Sequence, residues 1–191
     1  MIRKWALFGM PGAGKSTTTA RLQHLLSTQG TELHHIRLAD PLYECQREIY
    51  RIAGRPLADQ HVQDGELLNF LGTHLRKINP TVLLDRFAIE LRRVDDELRR
   101  NGIGEALILC DDVRPADEPF VRSCGFTLVK VTAHEDLCCR RRQARRDLSL
   151  GSATHATEVG IDTITPDAEL RNDSTIDQLD QALQRLLAQH A

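Results

Sequence analysis

The residues best suited to chemistry lie near the start of the chain, where residues 9–16 read G-M-P-G-A-G-K-S. Four residues separate Gly9 from Gly14, and Lys15 and Ser16 follow, which is the spacing of a loop that binds nucleotide phosphates. In such a loop the backbone N–H groups and the lysine bind phosphate oxygens, while the hydroxyl group ligates Mg²⁺. An apolar strand predicted just before the loop and a helix predicted from Lys15 onward supply the required context. We therefore prefer this interpretation to a plain glycine-rich turn.

Two carboxylates, Asp111 and Asp112, follow an apolar run at 106–110 that predicts a buried strand. The carboxyl ends of parallel strands meet at one edge of a sheet, beside the phosphate loop. A carboxylate at that edge holds Mg²⁺ directly or through water, so both residues are predicted metal ligands together with Ser16. Their alternative role is the ordinary one of a turn or a helix cap.

Asp40 ends a second predicted strand and precedes Pro41, a pair that predicts a helix N-cap followed by proline at the first helical position. The carboxyl end of a parallel strand also brings this carboxylate near the phosphate loop. Asp40 is therefore a candidate for orienting the hydroxyl groups of an acceptor or for assisting proton removal. Capping alone is the alternative, and the two roles are compatible.

An arginine-rich run at 139–147 reads C-R-R-R-Q-A-R-R-D on a predicted helix. Arg141 and Arg145 form one i,i+4 pair and Arg142 and Arg146 form another, so each pair presents two guanidinium groups on one face. Such groups bind phosphate oxygens and offset the charge that develops during phosphoryl transfer. A solvated helix face is the alternative for some of these side chains, and the sequence leaves open which pair points inward.

A polar segment follows this helix, with His155, Thr157 and Glu158 in the sequence H-A-T-E. A metal site would need more ligand side chains nearby, so a polar loop is the alternative to a functional segment. The residues by themselves leave both roles open.

Apolar patterns predict strands that alternate with helices, which indicates an α/β fold with a parallel sheet covered by helices on both faces. The predicted strands are 5–8, 32–37, 106–110, 126–131 and 168–171, and the predicted helices are 15–30, 40–54, 67–77, 83–100, 137–148 and 175–189. No linker-like stretch divides the chain, so we expect a single domain over 1–191. The helical insert at about 41–100, between the second and third strands, is the predicted acceptor-binding region.

The composition argues against several kinds of partner and location. With 25 basic and 27 acidic residues the net charge is −2, which gives no general affinity for nucleic acid or for an anionic membrane. No apolar stretch is long enough to span a bilayer and we recognise no signal peptide, so we expect a cytoplasmic protein. Five cysteines without a C-x-x-C pair favour free thiols over a zinc site or a disulfide framework.

Several motifs together resemble the deoxynucleoside monophosphate kinases that tailed phages encode, within the larger nucleoside monophosphate kinase group. The matching segments are A-D-P-L at 39–42, L-N-F-L-G-T at 68–73 with Arg76, D-V-R at 112–114 with Glu118, H-A-T-E at 155–158 and N-D at 172–173. Two features depart from the family pattern, because Asn69 stands where glutamine is usual and the arginine-rich helix is denser. Both lie near the acceptor or the lid and therefore bear on base specificity.

The resemblance implies the P-loop NTPase fold, a three-layer sandwich whose five parallel strands have the order 2-3-1-4-5. It also implies that ATP with Mg²⁺ lies over the phosphate loop and that Asn172 lies near the adenine. The predicted ATP contacts in the loop are Gly12, Ala13, Gly14, Lys15, Ser16 and Thr17.

On the acceptor side, the resemblance implies that a monophosphate lies between Asp40, Arg76 and Arg114. A lid over about 134–160 would close on it. We assign Arg142 and Glu158 to acceptor binding as well. The predicted catalytic residues are Lys15, Asp40, Arg141 and Arg145.

The hypothesis from the sequence is an ATP-dependent phosphotransferase that converts a (deoxy)nucleoside monophosphate to the diphosphate. Modified pyrimidine nucleotides such as hydroxymethyl-CMP are among the candidate acceptors. A kinase for another phosphorylated metabolite, such as dephospho-coenzyme A or phosphomevalonate, is the alternative within the same class. A nucleotide-binding switch or ATPase with a protein partner is the alternative from a different class, and a DNA-binding module is the least supported. Whether the protein forms a homodimer is left open.

Overall fold

A five-stranded parallel sheet forms the centre of the protein in the computed structural model, which describes residues 1–58, 62–144 and 160–189. The strands are β1 (Ile2–Phe8), β2 (Glu32–His35), β3 (Ala106–Cys110), β4 (Thr127–Thr132) and β5 (Ala168–Arg171). They lie in the order β2-β3-β1-β4-β5, and every neighbouring pair is parallel. The predicted α/β architecture and strand order are therefore confirmed.

Seven α-helices and one short 3₁₀ helix connect or follow these strands within the described residues. The α-helices are α1 (Lys15–Thr28), α2 (Asp40–Ile52), α3 (Gly65–Ile78), α4 (Val82–Arg100), α5 (Glu118–Ser123), α6 (Glu135–Ala144) and α7 (Ile176–Gln189), and the 3₁₀ helix is Ile161–Thr163. Neither α5 nor the 3₁₀ helix was predicted, because six or three residues are too few to show a helical period. None of the helices in the described part of the chain is both long and apolar enough to cross a membrane.

The helices pack on both faces of the sheet because side chains of β1 alternate between two apolar clusters. Trp5 and Leu7 lie in the cluster that contains residues of α1 and α7, whereas Ala6 and Phe8 lie in the cluster that contains residues of α4. All four are essentially buried. The five residues of β3 are buried too, as expected for a strand covered on both faces.

Two element boundaries at the end of β2 differ from the prediction. The strand ends at His35, two residues before the predicted end, and the chain then turns so that the amides of Leu38 and Ala39 donate to the side chain of Asp112, which follows β3. Asp40 was predicted as the N-cap of α2, and this is wrong. Ala39 is the N-cap, because its carbonyl accepts the amides of Leu42 and Tyr43 at 2.9 and 3.2 Å, and Asp40 is the first helical residue.

The helical insert between β2 and β3 is joined by the buried side chain of Gln46 in α2. Its Nε2 donates to the carbonyl of Val62 (3.0 Å), and its Oε1 accepts the amide of Asp64 (2.8 Å). Asp64 in turn caps α3 by accepting the amide of Leu67 at 3.1 Å. These bonds hold α3 against α2 and thereby set where the side chains of α3 can reach.

Candidate functional site

The loop after β1 fits closely between two other elements. Gly12 and Gly14 have φ angles of +87° and +98°, which L side chains rarely adopt. A Cβ atom at Gly12 would overlap the backbone of Cys138 in α6, and one at Gly14 would overlap the side-chain amide of Asn172 after β5. The loop therefore fits the predicted cradle for phosphate groups, in which backbone N–H groups approach the ligand without intervening side chains.

Lys15 and the two hydroxyl residues after it begin α1 directly at the end of this loop. The Lys15 ammonium group donates to the carbonyls of Gly9 (2.8 Å) and Met10 (3.4 Å). Ser16 and Thr17 are exposed in the first turn of the helix, where the free N–H groups and the helix dipole favour an anion. The residues of this loop are thus suited to the phosphates of a nucleotide.

A second set of contacts ties the loop to α6 and to the end of β5. Asn172 is 3% exposed, and its Nδ2 donates to the carbonyl of Ala13 at 2.9 Å. Arg141 donates from Nη1 to the carbonyls of Gly12 (3.4 Å) and Ala13 (3.3 Å) and from Nη2 to the carbonyl of Asn172 (3.1 Å). Asn172, which was predicted to lie near the adenine, and Arg141, which was predicted to be catalytic, therefore both contact the loop backbone.

Of the other arginines predicted to act in the lid region, Arg142 is the one that lies within the described residues. Arg142 donates from Nη2 to the sulfur of Cys139 at 3.1 Å, a contact within α6. Arg145 and Glu158, and with them Arg146, His155 and Thr157, lie outside the described residues. Their predicted roles stay predictions. The same holds for the extent of the lid.

Asp111 lies beside the first turns of α1, as its predicted role requires. Its Oδ2 accepts the hydroxyl of Thr19 at 3.1 Å, and its Oδ1 lies 2.9 Å from Nε2 of His35 and 3.9 Å from Nε of Arg37. Burial alone would raise the pKa of Asp111, but the hydrogen bond and charge of His35, with Arg37 and Thr19, lower it below its ordinary value. Asp111 is therefore an ionised carboxylate bound to Thr19, which lies about one helical turn after Ser16, and both Asp111 and Ser16 carry oxygen atoms of the kind that Mg²⁺ prefers.

The environment of Asp112 is different, because both of its carboxylate oxygens accept hydrogen bonds from backbone amides. Oδ1 accepts the amide of Leu38 (3.0 Å) and Oδ2 that of Ala39 (2.8 Å). Burial and the charge of Asp111 raise the pKa of Asp112, and the two amides offset this only in part. These contacts hold the end of β2 against β3, which favours a structural role over the predicted metal ligation. Within the described residues, no group of three or more His, Cys, Asp or Glu side chains that could hold a metal ion is found.

Two predicted acceptor arginines act on one buried carboxylate, Asp117. Arg76 in α3 has Nη2 at 3.7 Å from Oδ1 of Asp117, and its Nη1 donates to the carbonyl of Gly72 at 3.3 Å. Arg114 follows β3, and its carbonyl accepts the amide of Asp117 at 2.9 Å. Burial raises the pKa of the Asp117 carboxyl, and the positive charges of Arg76 and Arg114 lower it only in part. The insert thus brings the guanidinium group of Arg76 to the segment after β3 that contains Arg114.

A tyrosine and a further arginine lie between this acceptor side and Asp111. The guanidinium carbon of Arg37 lies 5.7 Å from the ring centre of Tyr43, whose hydroxyl accepts a bond from Gln63 at 3.0 Å. Burial raises the pKa of Tyr43 to about 12, and the charge of Asp112 adds to the rise. Asp40 is exposed at the edge of this region, and desolvation by its surroundings raises its pKa although Arg37 opposes the effect.

The sequence analysis missed Arg37, Tyr43 and Asp117 as candidate site residues. Spacing could have indicated the latter two, because Tyr43 lies one helical turn after Asp40 and Asp117 lies three residues after Arg114. Glu118, part of the matching motif, is bound to Arg122, which also contacts Asp167 before β5. Its described contact is therefore between α5 and the segment before β5.

Comparison with known proteins defines the fold of this chain but assigns it to no family. No protein-family model matches the chain, and no curated protein matches its sequence. TT1252 from Thermus thermophilus is similar in structure, with a TM-score of 0.55 and 22% identity over 99% of this chain and 98% of that chain. Shikimate kinase from Acinetobacter baumannii, in complex with shikimate, has a TM-score of 0.51 and 17% identity over 99% and 95% of the two chains. At these identities the similarity defines the fold, and the chain has the α/β fold of the P-loop NTPases.

Proposed function

We propose that the protein is an ATP-dependent kinase that transfers the γ-phosphoryl group to a (deoxy)nucleoside monophosphate. The observation that carries the acceptor class is that Arg76 of the insert approaches Asp117 at 3.7 Å, in the segment after β3 that also contains Arg114. Guanidinium groups of this kind match the oxygens of a phosphate monoester. The phosphate loop and the shared fold with a shikimate kinase support the donor half of the proposal.

On the donor side, bound ATP with Mg²⁺ supplies the phosphoryl group and part of the charge compensation. The loop backbone at Gly12 and Gly14 would hold the phosphates, and the Lys15 ammonium group would exchange its contacts with the Gly9 and Met10 carbonyls for phosphate oxygens. Ser16 and Asp111 are the residues that would bind Mg²⁺, directly or through water. Arg141 and Asn172 would stabilise the conformation of the loop through their hydrogen bonds to the carbonyl of Ala13.

On the acceptor side, Arg76 and Arg114 would bind the acceptor phosphate. Asp40, exposed beside Arg37, would accept a hydrogen bond from a hydroxyl group of the acceptor. Burial raises the pKa of Tyr43 to about 12, so its phenol group is neutral at pH 7 and presents an uncharged polar side chain on the acceptor side. A modified pyrimidine nucleotide remains part of the proposal on the strength of the motif resemblance alone.

The experiment is a measurement of ADP release from ATP with Mg²⁺ across a panel of acceptors. The panel contains the cytidine, thymidine and guanosine monophosphates with either sugar, hydroxymethyl-CMP and its deoxy form, dephospho-coenzyme A, phosphomevalonate and shikimate. We expect ADP release that depends on a nucleoside monophosphate and yields its diphosphate. Turnover confined to a non-nucleotide acceptor would replace the substrate class, and slow hydrolysis independent of any acceptor would favour the nucleotide-dependent switch.

A further inference from the structure

The buried carboxylate of Asp117 has no role in the predicted site, although its surroundings are unusual for an acidic side chain. The residue is 4% exposed and directly precedes α5. It is the N-cap residue of this helix through its backbone carbonyl, but its side chain accepts no bond from the first turn. A buried carboxylate is costly unless charged or hydrogen-bonded groups compensate it, so its partners indicate what it does.

Those partners are the two arginines assigned to the acceptor phosphate. Arg76 reaches Asp117 from the insert, with 3.7 Å between Nη2 and Oδ1, and its side chain is 30% exposed. Arg114 acts on the same carboxylate through its backbone amide and its charge. The carboxylate therefore offsets positive charge from the insert and from the segment after β3.

The contacts of Arg76 are long enough to be exchanged. Both its 3.7 Å ion pair and its 3.3 Å bond to the Gly72 carbonyl exceed the distances of about 2.7–2.9 Å typical of charge-assisted hydrogen bonds. A phosphate that enters beside Asp117 can therefore bind Arg76 more closely than its present partners do. Asp117 would keep the side chain near that position until the phosphate arrives, which reduces the loss of rotamer freedom on binding.

We propose that Asp117 is the positioning residue of the acceptor-phosphate site, which holds the guanidinium group of Arg76 in place before the acceptor binds. This inference rests on the proposed kinase function. It deepens that function by assigning the preorganisation of the phosphate site to a residue that does not itself bind the acceptor.

The test is steady-state kinetics of Asp117→Asn with Glu118→Gln as the matched control. We expect Asp117→Asn to raise the KM for the monophosphate by roughly tenfold or more, with the KM for ATP unchanged, because Arg76 loses its anchor while the phosphate loop is unaffected. Glu118→Gln removes a neighbouring carboxylate that is bound to Arg122 instead. It should leave both KM values unchanged.

A double-mutant cycle separates positioning from general support of the fold. If Asp117 acts through Arg76, adding Asp117→Asn to Arg76→Ala should change the KM for the acceptor little. Should Asp117→Asn fold poorly, Asp117→Glu keeps the charge and should recover part of the acceptor affinity. An unchanged acceptor KM in Asp117→Asn, equal increases in both KM values, or full additivity with Arg76→Ala would overturn the inference. Absence of acceptor-dependent turnover in the unmodified protein would instead overturn the proposed function.

Discussion

The side-chain amide of Asn172 donates a hydrogen bond to the backbone carbonyl of Ala13 at 2.9 Å, which joins the end of β5 to the middle of the phosphate loop. Arg141 donates to the same carbonyl at 3.3 Å and to the carbonyl of Asn172 at 3.1 Å. The loop is thus held by side chains from two elements that are remote in sequence. Its shape depends on them as well as on its own glycines.

Asn172→Ala should weaken ATP binding, because Ala13 loses a buried partner and the loop becomes less ordered. We expect the KM for ATP to rise roughly tenfold, the acceptor KM to stay constant and the free energy of unfolding to fall by about 1–2 kcal/mol. Kinetics and urea unfolding measure both effects, and Ser174→Ala, at an exposed position nearby, is the control. GTP should be weakened as much as ATP if Asn172 acts through the loop. A loss restricted to ATP would indicate contact with the adenine instead.

Lys15→Ala should abolish most turnover while the protein stays folded. The ammonium group donates to the loop carbonyls of Gly9 and Met10 and the residue is only partly buried, so its removal should have little effect on the core. We expect kcat to fall by roughly 10²–10³, as for the loss of one preorganised electrostatic contact to the transferred group. Lys4→Ala is the control, because Lys4 is paired with Asp95 and should not affect catalysis. Near-normal turnover in Lys15→Ala would contradict the assignment of the loop.

Asp111→Asn and Asp112→Asn should affect different properties of the protein, although the two residues are adjacent. Asp111→Asn should raise the Mg²⁺ concentration needed for half-maximal turnover, since an ionised oxygen ligand is lost. Asp112→Asn should lower the free energy of unfolding by about 1–3 kcal/mol, because an amide offers one acceptor oxygen to the two backbone N–H groups of Leu38 and Ala39. Mg²⁺ titrations and thermal unfolding of both variants measure this. If Asp112→Asn raised the Mg²⁺ requirement and Asp111→Asn lowered only the stability, Asp112 would be the metal ligand instead.

Tyr43 should make the protein sensitive to alkaline pH. A tyrosine in the unfolded chain ionises near pH 10, whereas the pKa of Tyr43 in the folded protein is about 12. The raised pKa contributes stability that is fully present below pH 10 and is lost as the pH rises toward 12, a change on the order of 2–3 kcal/mol.

The matching measurement is urea unfolding of the unmodified protein, Tyr43→Phe and Tyr50→Phe from neutral pH to about 12. Tyr43→Phe should flatten the decrease in stability above pH 10. The pKa of Tyr50 is also raised, by its hydrogen bond to Asp64, so Tyr50→Phe tests whether the effect belongs to Tyr43. Parallel curves for the unmodified protein and Tyr43→Phe would contradict the prediction.

Features set by neighbouring residues could be predicted from the sequence. The apolar run 106–110 matches β3 in full, and the pattern 83–100 matches α4 to within one residue. The phosphate loop could likewise be predicted from its glycine spacing, because the glycines are required by local backbone conformations. The end of β2 was not predictable in this way. It depends on the carboxylate of Asp112, which lies more than 70 residues further along the chain.

The residue pattern alone was sufficient to predict the phosphate loop, the alternation of strands with helices and a parallel sheet covered on both faces. The packing of the elements was needed to show that Arg141 contacts the loop while Arg142 contacts Cys139 within its own helix. It was also needed to show that Asp111 and Asp112 have different partners and that Asp117 pairs with Arg76 of α3. Periodicity records which face of an element is apolar. The partner of a polar side chain depends on how remote elements pack, and Asn172 and Ala13 are 159 residues apart.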